Sequence, residues 1–304
     1  MYRRRHTQCV HIAVVGAGSL GSLLGGLLAR EHDVTLVGRA PHVERVASDG
    51  LAVTGVEQFR VDPTARTDIP ERADLAVVAV KSYDTAAVAE QLADCDLGVC
   101  LTVQNGMGNE ATLAGALDCP VLAGTCTYGA RLEGTGTVAF TGRGEVVVGA
   151  REGGASAAAR RVGAAFTDAG IDTVVATDMP RRLWAKLAIN AAINATTALA
   201  RVENGALAEG PGESLAADAA RETARVAREQ GVDLSDERAV ELTRRVVRDT
   251  AANRSSMLED VADGRRTEMD AINGYVVDHA AEPVPVNEPL ARLVRTWAAD
   301  ADAE

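Results

Sequence analysis

Lys186, Asn190 and Asn194 stand at i, i+4 and i+8 in a run, residues 183–199 (LWAKLAINAAINATTAL), that is otherwise largely Ala, Leu, Ile and Trp. At 3.6 residues per turn the three share one face of a helix. A helix apolar around most of its circumference is a buried one, and burying an ammonium and two amides without partners costs several kcal/mol. The stripe therefore faces something polar, either a ligand against a cleft wall or a neighbouring helix that takes its hydrogen bonds. Arg keeps its proton in a protein, whereas Lys can shift its pKa and move one. Of the 31 Lys and Arg residues only Lys81 and Lys186 are lysines, so Lys186 is a candidate for proton transfer.

A second constellation lies near the start. The β-rich run Val10–Val15 leads into Gly16-Ala17-Gly18-Ser19-Leu20-Gly21, then a helical stretch ending near Arg30, then a second strand over 33–37. Strand, GxGxxG, helix and strand in that order are the setting of a dinucleotide site. Gly16 permits the tight turn, Gly18 lets backbone N–H groups approach a pyrophosphate, and Gly21 lets the helix lie close on the strand. The competing reading is a glycine-rich turn with no ligand. The second strand runs out as Val37-Gly38-Arg39 with no acid to bond a ribose 2′-hydroxyl, which favours NADP and leaves NADH use open. Because arginine is abundant, a solvent-facing Arg39 also remains open.

Two further strand ends carry polar residues. The apolar run 73–80 reads as a buried parallel strand and ends in Lys81-Ser82; the run 99–103 ends in Gln104-Asn105-Gly106-Met107-Gly108. Ligands in open α/β sheets bind at the carboxyl ends of strands. Lys81 thus sits where cofactor or substrate should be, and Asn105 fits a loop lining the nicotinamide end, or else an ordinary Asn-Gly turn. Later in the chain, Asn204 stands at a helix end with its amide free to reach inward, Ser255 and Ser256 beside Met257 suggest a cleft wall, and Glu268 precedes an apolar turn. The bland alternative for Glu268 is a helix N-terminal acid, worth ~0.3–1 kcal/mol.

These residues need a scaffold of two kinds. Up to Ala176 strands and helices alternate, with Gly- and Thr-rich text from 121 to 149 reading as short antiparallel strands, a helix over 155–170 and a last strand over 171–176. Beyond Asp178 the pattern is helical: 179–199, 214–230, 235–264, 267–281, and a last helix from Asn287 or Pro289 after Pro283 and Pro285. The expected fold class is α/β, an N-terminal Rossmann dinucleotide-binding domain (1–178) followed by an all-helical C-terminal domain (179–304) that carries substrate. A chain of 304 residues, 47% hydrophobic, suits two such domains. Net charge is −12, which argues against a nucleic-acid partner. The lysine-poor acidity resembles proteins of salt-loaded cytoplasms. Five cysteines without CxxC or metal-ligand spacing read as free, mostly buried thiols in a reducing cytosol, with no metal site. Arg3, Arg4 and Arg5 precede an apolar stretch in the manner of a twin-arginine signal, but that stretch carries the glycine motif and is interrupted by charge, so residues 1–8 read as a terminal extension. No segment is long and apolar enough to span a membrane.

The combination of GAGSLG, NGMG at 105–108, LWAKLAINAAINATTAL with Asn204-Gly205 after it, and SSMLEDVADGRRTEMDAINGY from Ser255 resembles the ketopantoate reductase (2-dehydropantoate 2-reductase) family over nearly the whole chain. The resemblance implies a cytoplasmic enzyme that reduces ketopantoate to pantoate with NADPH on the way to coenzyme A, with a homodimer as the prior for assembly. Carried over by position, it makes Lys186 the catalytic acid and Glu268 the substrate-orienting carboxylate. Asn105, Asn190, Asn194, Asn204 and Ser256 become substrate contacts. Residues 16–21 (Gly16, Ala17, Gly18, Ser19, Leu20, Gly21), Arg39, Lys81 and Asn105, with Glu268 at the same end, match positions that touch NADP(H). Two rivals are a related two-domain reductase for another 2-keto or β-hydroxy acid, and an NADP-sensing regulator without turnover.

Overall fold

A computed structural model of the chain describes residues 10–301; the arginine-rich start and Cys9 lie outside the described residues. The chain divides into two compact units, one running to Gln104 and resuming over Asn109–Met179, the other made of Asn105–Gly108 and Pro180–Glu304.

The first unit contains β1 (His11–Val15), α1 (Ser19–Leu28), β2 (Asp33–Val37), α2 (Ala40–Asp49), β3 (Leu51–Gly55), β4 (Phe59–Val61), β5 (Thr64–Arg66), β6 (Arg72–Ala73), β7 (Leu75–Val78), α3 (Thr85–Leu92), β8 (Asp96–Leu97), β9 (Cys100–Thr102), α4 (Asn109–Ala116), β10 (Val121–Cys126), β11 (Gly129–Gly134), β12 (Thr137–Gly142), β13 (Val146–Ala150), α5 (Ala157–Asp168) and β14 (Thr173–Ala176). Its main sheet has the order β14-β13-β10-β9-β7-β1-β2-β5. From β5 to β10 every pairing is parallel. Strands such as β7 and β9 are buried throughout, as sheets covered on both faces require. The chain moves outward from β1 through β2 to β5, then crosses back to β7 on the other flank of β1. The order therefore reverses between β1 and β7, the place where open α/β sheets bind ligands.

The 121–149 region departs from the expected run of antiparallel strands. β10 pairs parallel with β9 and antiparallel with β13, so both strands extend the main sheet. Only β11 and β12 form a hairpin, and β12 then pairs parallel with β3 in a separate four-stranded sheet, β11-β12-β3-β4. Burial decides the split: residues 122–126 of β10 are buried on both faces, whereas β11 is half open to solvent.

The two sheets enclose α1, which is buried from Gly21 to Leu28. A buried histidine links this layer to α2. Gly136 N–H, in the β11–β12 turn, donates to His42 Nδ1 at 3.1 Å, so the ring proton sits on Nε2 and points at Ser22 Oγ, 3.0 Å away in α1. Burial lowers the His42 pKa, because a charged ring would lose water and the Gly136 bond together. A depressed folded-state pKa means that the unfolded chain binds the extra proton first as pH falls. The stability from neutral His42 is thus complete above the ordinary histidine pKa and is lost as pH falls through the lower folded value. Melting followed from about pH 7.5 down to about pH 5 should show wild type losing Tm faster than His42→Gln; each ~1 kcal/mol is roughly 2–4 °C in domains of this size. Parallel curves would remove His42 from the account.

The second unit is helical: α6 (Met179–Ala200, reaching back one residue into the first unit), α7 (Gly210–Glu229), α8 (Asp236–Asp249), α9 (Ser256–Ala262), α10 (Tyr275–His279) and α11 (Asn287–Ala301), with a 3-10 turn at Asn204–Leu207 and a π-helical turn at Asp270–Gly274. Its core is rich in alanine from α6 and α7, which lets helices approach closely. The helix expected over 235–264 is broken between Asp249 and Ser256, because Ser255 Oγ accepts from Leu258 N (3.1 Å) and caps a new helix. α7 begins four residues before its expected start, with Pro211 in its first turn where no N–H is needed. Among the described residues no helix is long and apolar enough to cross a membrane.

Candidate functional site

In the first unit three strand ends converge around the glycine loop. The N–H groups of Gly16 and Ala17 both donate to Val37 O at the end of β2, each at 2.9 Å. A Cβ built on Gly16 (φ +106°) would lie 2.6 Å from Val80 N, and one on Gly21 only 2.0 Å from Gly16 O. Both positions therefore admit glycine alone. A Cβ on Gly38 would meet Ala17 Cβ at 2.5 Å, which seats the segment entering Arg39 beside the loop. Gly18 by contrast is open, with nothing within 4 Å.

The first bond of α1 runs from Ser22 N to Gly18 O at 2.9 Å, so the N–H groups of Ser19, Leu20 and Gly21 precede the helical ladder and have no intrahelical acceptor. No acid occupies the first turn of α1 and no side chain caps it. Ser19 Oγ itself accepts from Leu132 N at 3.2 Å. Exposed Arg39 stands at the N-cap position of α2, and half-buried Lys81 follows β7. Open backbone donors at a helix start flanked by two cations suit an anionic ligand, and the phosphates of a dinucleotide fit this donor set.

Gln104 is a tie rather than a ligand-binding residue. Nearly buried, its Nε2 donates to Val80 O (3.0 Å) and Thr85 Oγ1 (2.8 Å), and its Oε1 accepts from Thr102 Oγ1 (2.9 Å). It thereby fixes the backbone just before Lys81.

In the second unit α6 runs unbroken through Lys186, Asn190 and Asn194. Lys186 and Asn190 are half-buried and Asn194 is 6% exposed. Neither asparagine amide makes a hydrogen bond among the described residues, so no neighbouring helix there takes up their donors and acceptors. Several segments are fastened around α6. Ser255 Oγ bonds Thr197 Oγ1 of α6 at 2.7 Å, which seats the first turn of α9, with exposed Ser256, one helical turn beyond Asn194. Asn273 Nδ2 donates to Ala191 O at 3.0 Å, tying down the turn that follows Glu268. Glu268 is 6% exposed, between buried Thr267 and Met269. In the loop of half-buried Asn105, Met107 N donates to Ala271 O (2.9 Å), and a Cβ on Gly106 (φ +78°) would strike Ala271.

Two expectations are corrected here. Ser255 is a buried helix cap and not a cleft wall. Asn204 does not have a free amide: its Nδ2 donates to Thr250 Oγ1 at 2.9 Å and its backbone N–H to Asn253 O at 2.9 Å, while its Oδ1 is sealed without a partner among the described residues. The helix expected to run through residues 250–253 is a loop there, and Asn204 is the side chain that holds it.

Comparison with known proteins adds to this geometry. The family description "Ketopantoate reductase PanE/ApbA" matches residues 12–153, and its C-terminal counterpart matches residues 178–298. The chain belongs to the ketopantoate reductase family. The 2-dehydropantoate 2-reductase of Halobacterium salinarum is 45% identical over 94% of this chain and 98% of its own. That of Archaeoglobus fulgidus is 39% identical over 93% and 96%. Among solved structures, a PanE/ApbA family ketopantoate reductase from Ralstonia eutropha superposes with a TM-score of 0.87 at 32% identity, covering 96% of this chain and 99% of that one. A D-mandelate dehydrogenase with NADH and anilino(oxo)acetate reaches 0.89 at 22% identity over 96% and 99%; that likeness is one of fold. As in the family's structures, a Rossmann unit is followed by a helical one.

Within this ketopantoate reductase fold, some supporting residues carried no signal that sequence reading could use. Gln104 lies 24 and 19 residues from Val80 and Thr85, and Ser22 lies 20 from His42. Asn273 lay inside a motif already singled out, but its role depends on Ala191 and Asn287, which only folding brings to it.

Proposed function

We propose that the protein is an NADPH-dependent 2-dehydropantoate 2-reductase that converts the ketone of ketopantoate into the secondary alcohol of pantoate, in pantothenate and coenzyme A synthesis. The observation that carries this reading is the α6 face, where one of only two lysines stands one and two turns before asparagine amides that make no hydrogen bond among the described residues. Residues up to 178 act as the cofactor domain and residues from 179 onward as the substrate domain. NADPH, when bound, supplies the hydride that reduces the ketone carbon. Lys186 places an ammonium at the ketone oxygen, stabilises the negative charge that develops there and delivers the proton that completes the hydroxyl. Asn190, Asn194 and Ser256 bind the substrate carboxylate through N–H and O–H donors. Glu268 accepts from the substrate hydroxyl, and Asn105 orients substrate and nicotinamide. Asn204 acts indirectly, by holding the loop that leads into Ser256.

NADPH is preferred because Arg39 stands where NAD-specific sites place an acid. Arg39→Ala should raise the KM for NADPH roughly tenfold, the worth of ~1.5 kcal/mol in a charge-assisted bond, and leave the KM for NADH unchanged. Equal effects on both cofactors would return Arg39 to solvent. The compartment proposed is the cytoplasm and the assembly a homodimer, which light scattering on the purified protein tests. The function itself is tested by following NADPH oxidation with ketopantoate, and with other 2-keto acids, in high-salt buffer. Turnover that favours ketopantoate supports the reading; NADPH binding without it would move the substrate to another 2-keto acid.

A further inference from the structure

A chain of buried amides crosses the second unit. Asn273, fully buried in the π-helical turn, donates from Nδ2 to Ala191 O of α6 (3.0 Å) and to Asn287 Oδ1 (2.9 Å). Asn287, the first residue of α11 and also fully buried, donates from its own Nδ2 to Ala219 O (3.1 Å) and Glu222 Oε2 (2.8 Å) of α7. The Glu222 carboxylate accepts two more bonds, from Val286 N (2.8 Å) and Asn287 N (2.9 Å). These partners leave neither amide a choice of orientation. A carbonyl and a carboxylate only accept, so Asn287 turns its NH2 to α7 and its oxygen to Asn273. Asn273 then faces two acceptors and must present its NH2 to both.

The arrangement costs stability, because Asn273 Oδ1 is left buried with no partner among the described residues. Backbone satisfaction does not demand it either, since a mid-helix carbonyl such as Ala191 O already has its intrahelical donor. The amide does fix geometry. Ala191 adjoins Asn190 on the helix of Lys186, and Asn273 lies in the turn whose start is pinned by Ala271 N to Glu268 O (3.2 Å) and Gly274 N to Met269 O (2.9 Å).

We propose that Asn273 is a positioning residue, which clamps the turn carrying Glu268 onto α6 at Ala191 and so holds the Glu268 carboxylate and the Lys186 ammonium in one fixed relation, with Asn287 and Glu222 setting the direction of the clamp. This rests on the reading of Lys186 and Glu268 as the reacting and orienting groups. A misplacement of an ångström in such a pair costs up to ~10²-fold in rate.

The test compares wild type with Asn273→Ala, Asn273→Asp and Asn287→Ala at a temperature where each is folded by circular dichroism. Asn273→Ala should lose roughly 10–100-fold in kcat, with the KM for NADPH within about twofold because the glycine loop, Arg39 and Lys81, which hold the phosphates, lie in the other unit. Asn273→Asp keeps the shape but sets a carboxylate against two acceptors; protonation restores one donor. Its kcat relative to wild type should therefore rise as pH is lowered from about 8 to about 6, while the ratio for Asn273→Ala stays flat. Asn287→Ala, which frees the direction of the clamp but keeps Asn273, should show a smaller loss in kcat. Lower Tm with unchanged kcat, and a flat Asn273→Asp ratio, would overturn the proposal and leave Asn273 as packing. If Asn273→Ala does not fold, the other two variants decide. A failure of the functional reading appears separately, as wild type that does not reduce ketopantoate, and the same comparison then runs on the 2-keto acid it does reduce.

Discussion

Replacing Lys186 with Ala is expected to lower kcat for ketopantoate reduction by ~10³-fold or more, with NADPH affinity within about twofold of wild type. Two effects are lost together. General acid catalysis contributes ~10²–10⁴-fold, and a cation placed at a developing alkoxide a further ~10²–10³-fold; effects carried by one side chain are not additive, so ~10³-fold, below the product of even the two lower ends, is the safer expectation. Lys186→Arg separates the two, because Arg keeps the charge and does not release its proton. It should recover part of the rate without restoring wild-type turnover. Steady-state NADPH oxidation gives kcat, and titration of the cofactor's fluorescence gives its affinity. A Lys186→Ala enzyme with more than about a tenth of wild-type kcat would sink the assignment.

Glu268→Ala is expected to raise the KM for ketopantoate roughly 10–100-fold. A carboxylate accepting from a substrate hydroxyl is a charge-assisted bond, worth ~1.5–3 kcal/mol, and each 1.4 kcal/mol is about tenfold in affinity. The competing account, an acid favoured by a helix start, predicts a change of ~0.3–1 kcal/mol in stability and none in KM. The position already speaks against it. Glu268 is 6% exposed and precedes a π-helical turn of five residues, not a long α-helix with a dipole to complement. Glu268→Gln, which keeps the shape and loses the charge, should fall between Ala and wild type. An unchanged KM in the Ala variant at full folding would return Glu268 to a structural role.

The loop from Gly16 to Gly21 was legible because its constraint is local. Backbone approach and helix packing demand glycine at fixed spacing, and the distances a Cβ would meet at Gly16 and Gly21 follow from that. The Lys186–Asn190–Asn194 face was legible for a similar reason, since helical periodicity alone aligns residues four apart. The region 121–149 was not. Its Gly and Thr content announces short strands, but whether a strand joins the main sheet or the smaller one depends on which faces are covered by distant segments. The break between α8 and α9 was missed because Ser255 reads as a helix-compatible residue until its hydroxyl is seen to cap Leu258 N and bond Thr197.

By itself the sequence determined the alternation of strands and helices in the first unit, the glycine-rich, acid-free start of α1, and the single polar face of α6, since each follows from composition and period over a few turns. The tertiary structure decided what those pieces rest on. Residues far apart in sequence, such as Asn273 with Ala191, 82 positions away, and Gln104 with Val80, 24 positions away, meet only after the chain has closed. Buried hydrogen bonds carry little signature in sequence, because an asparagine or glutamine that will hold a helix carbonyl is the same residue as one that will face water. Only burial against a particular acceptor separates them.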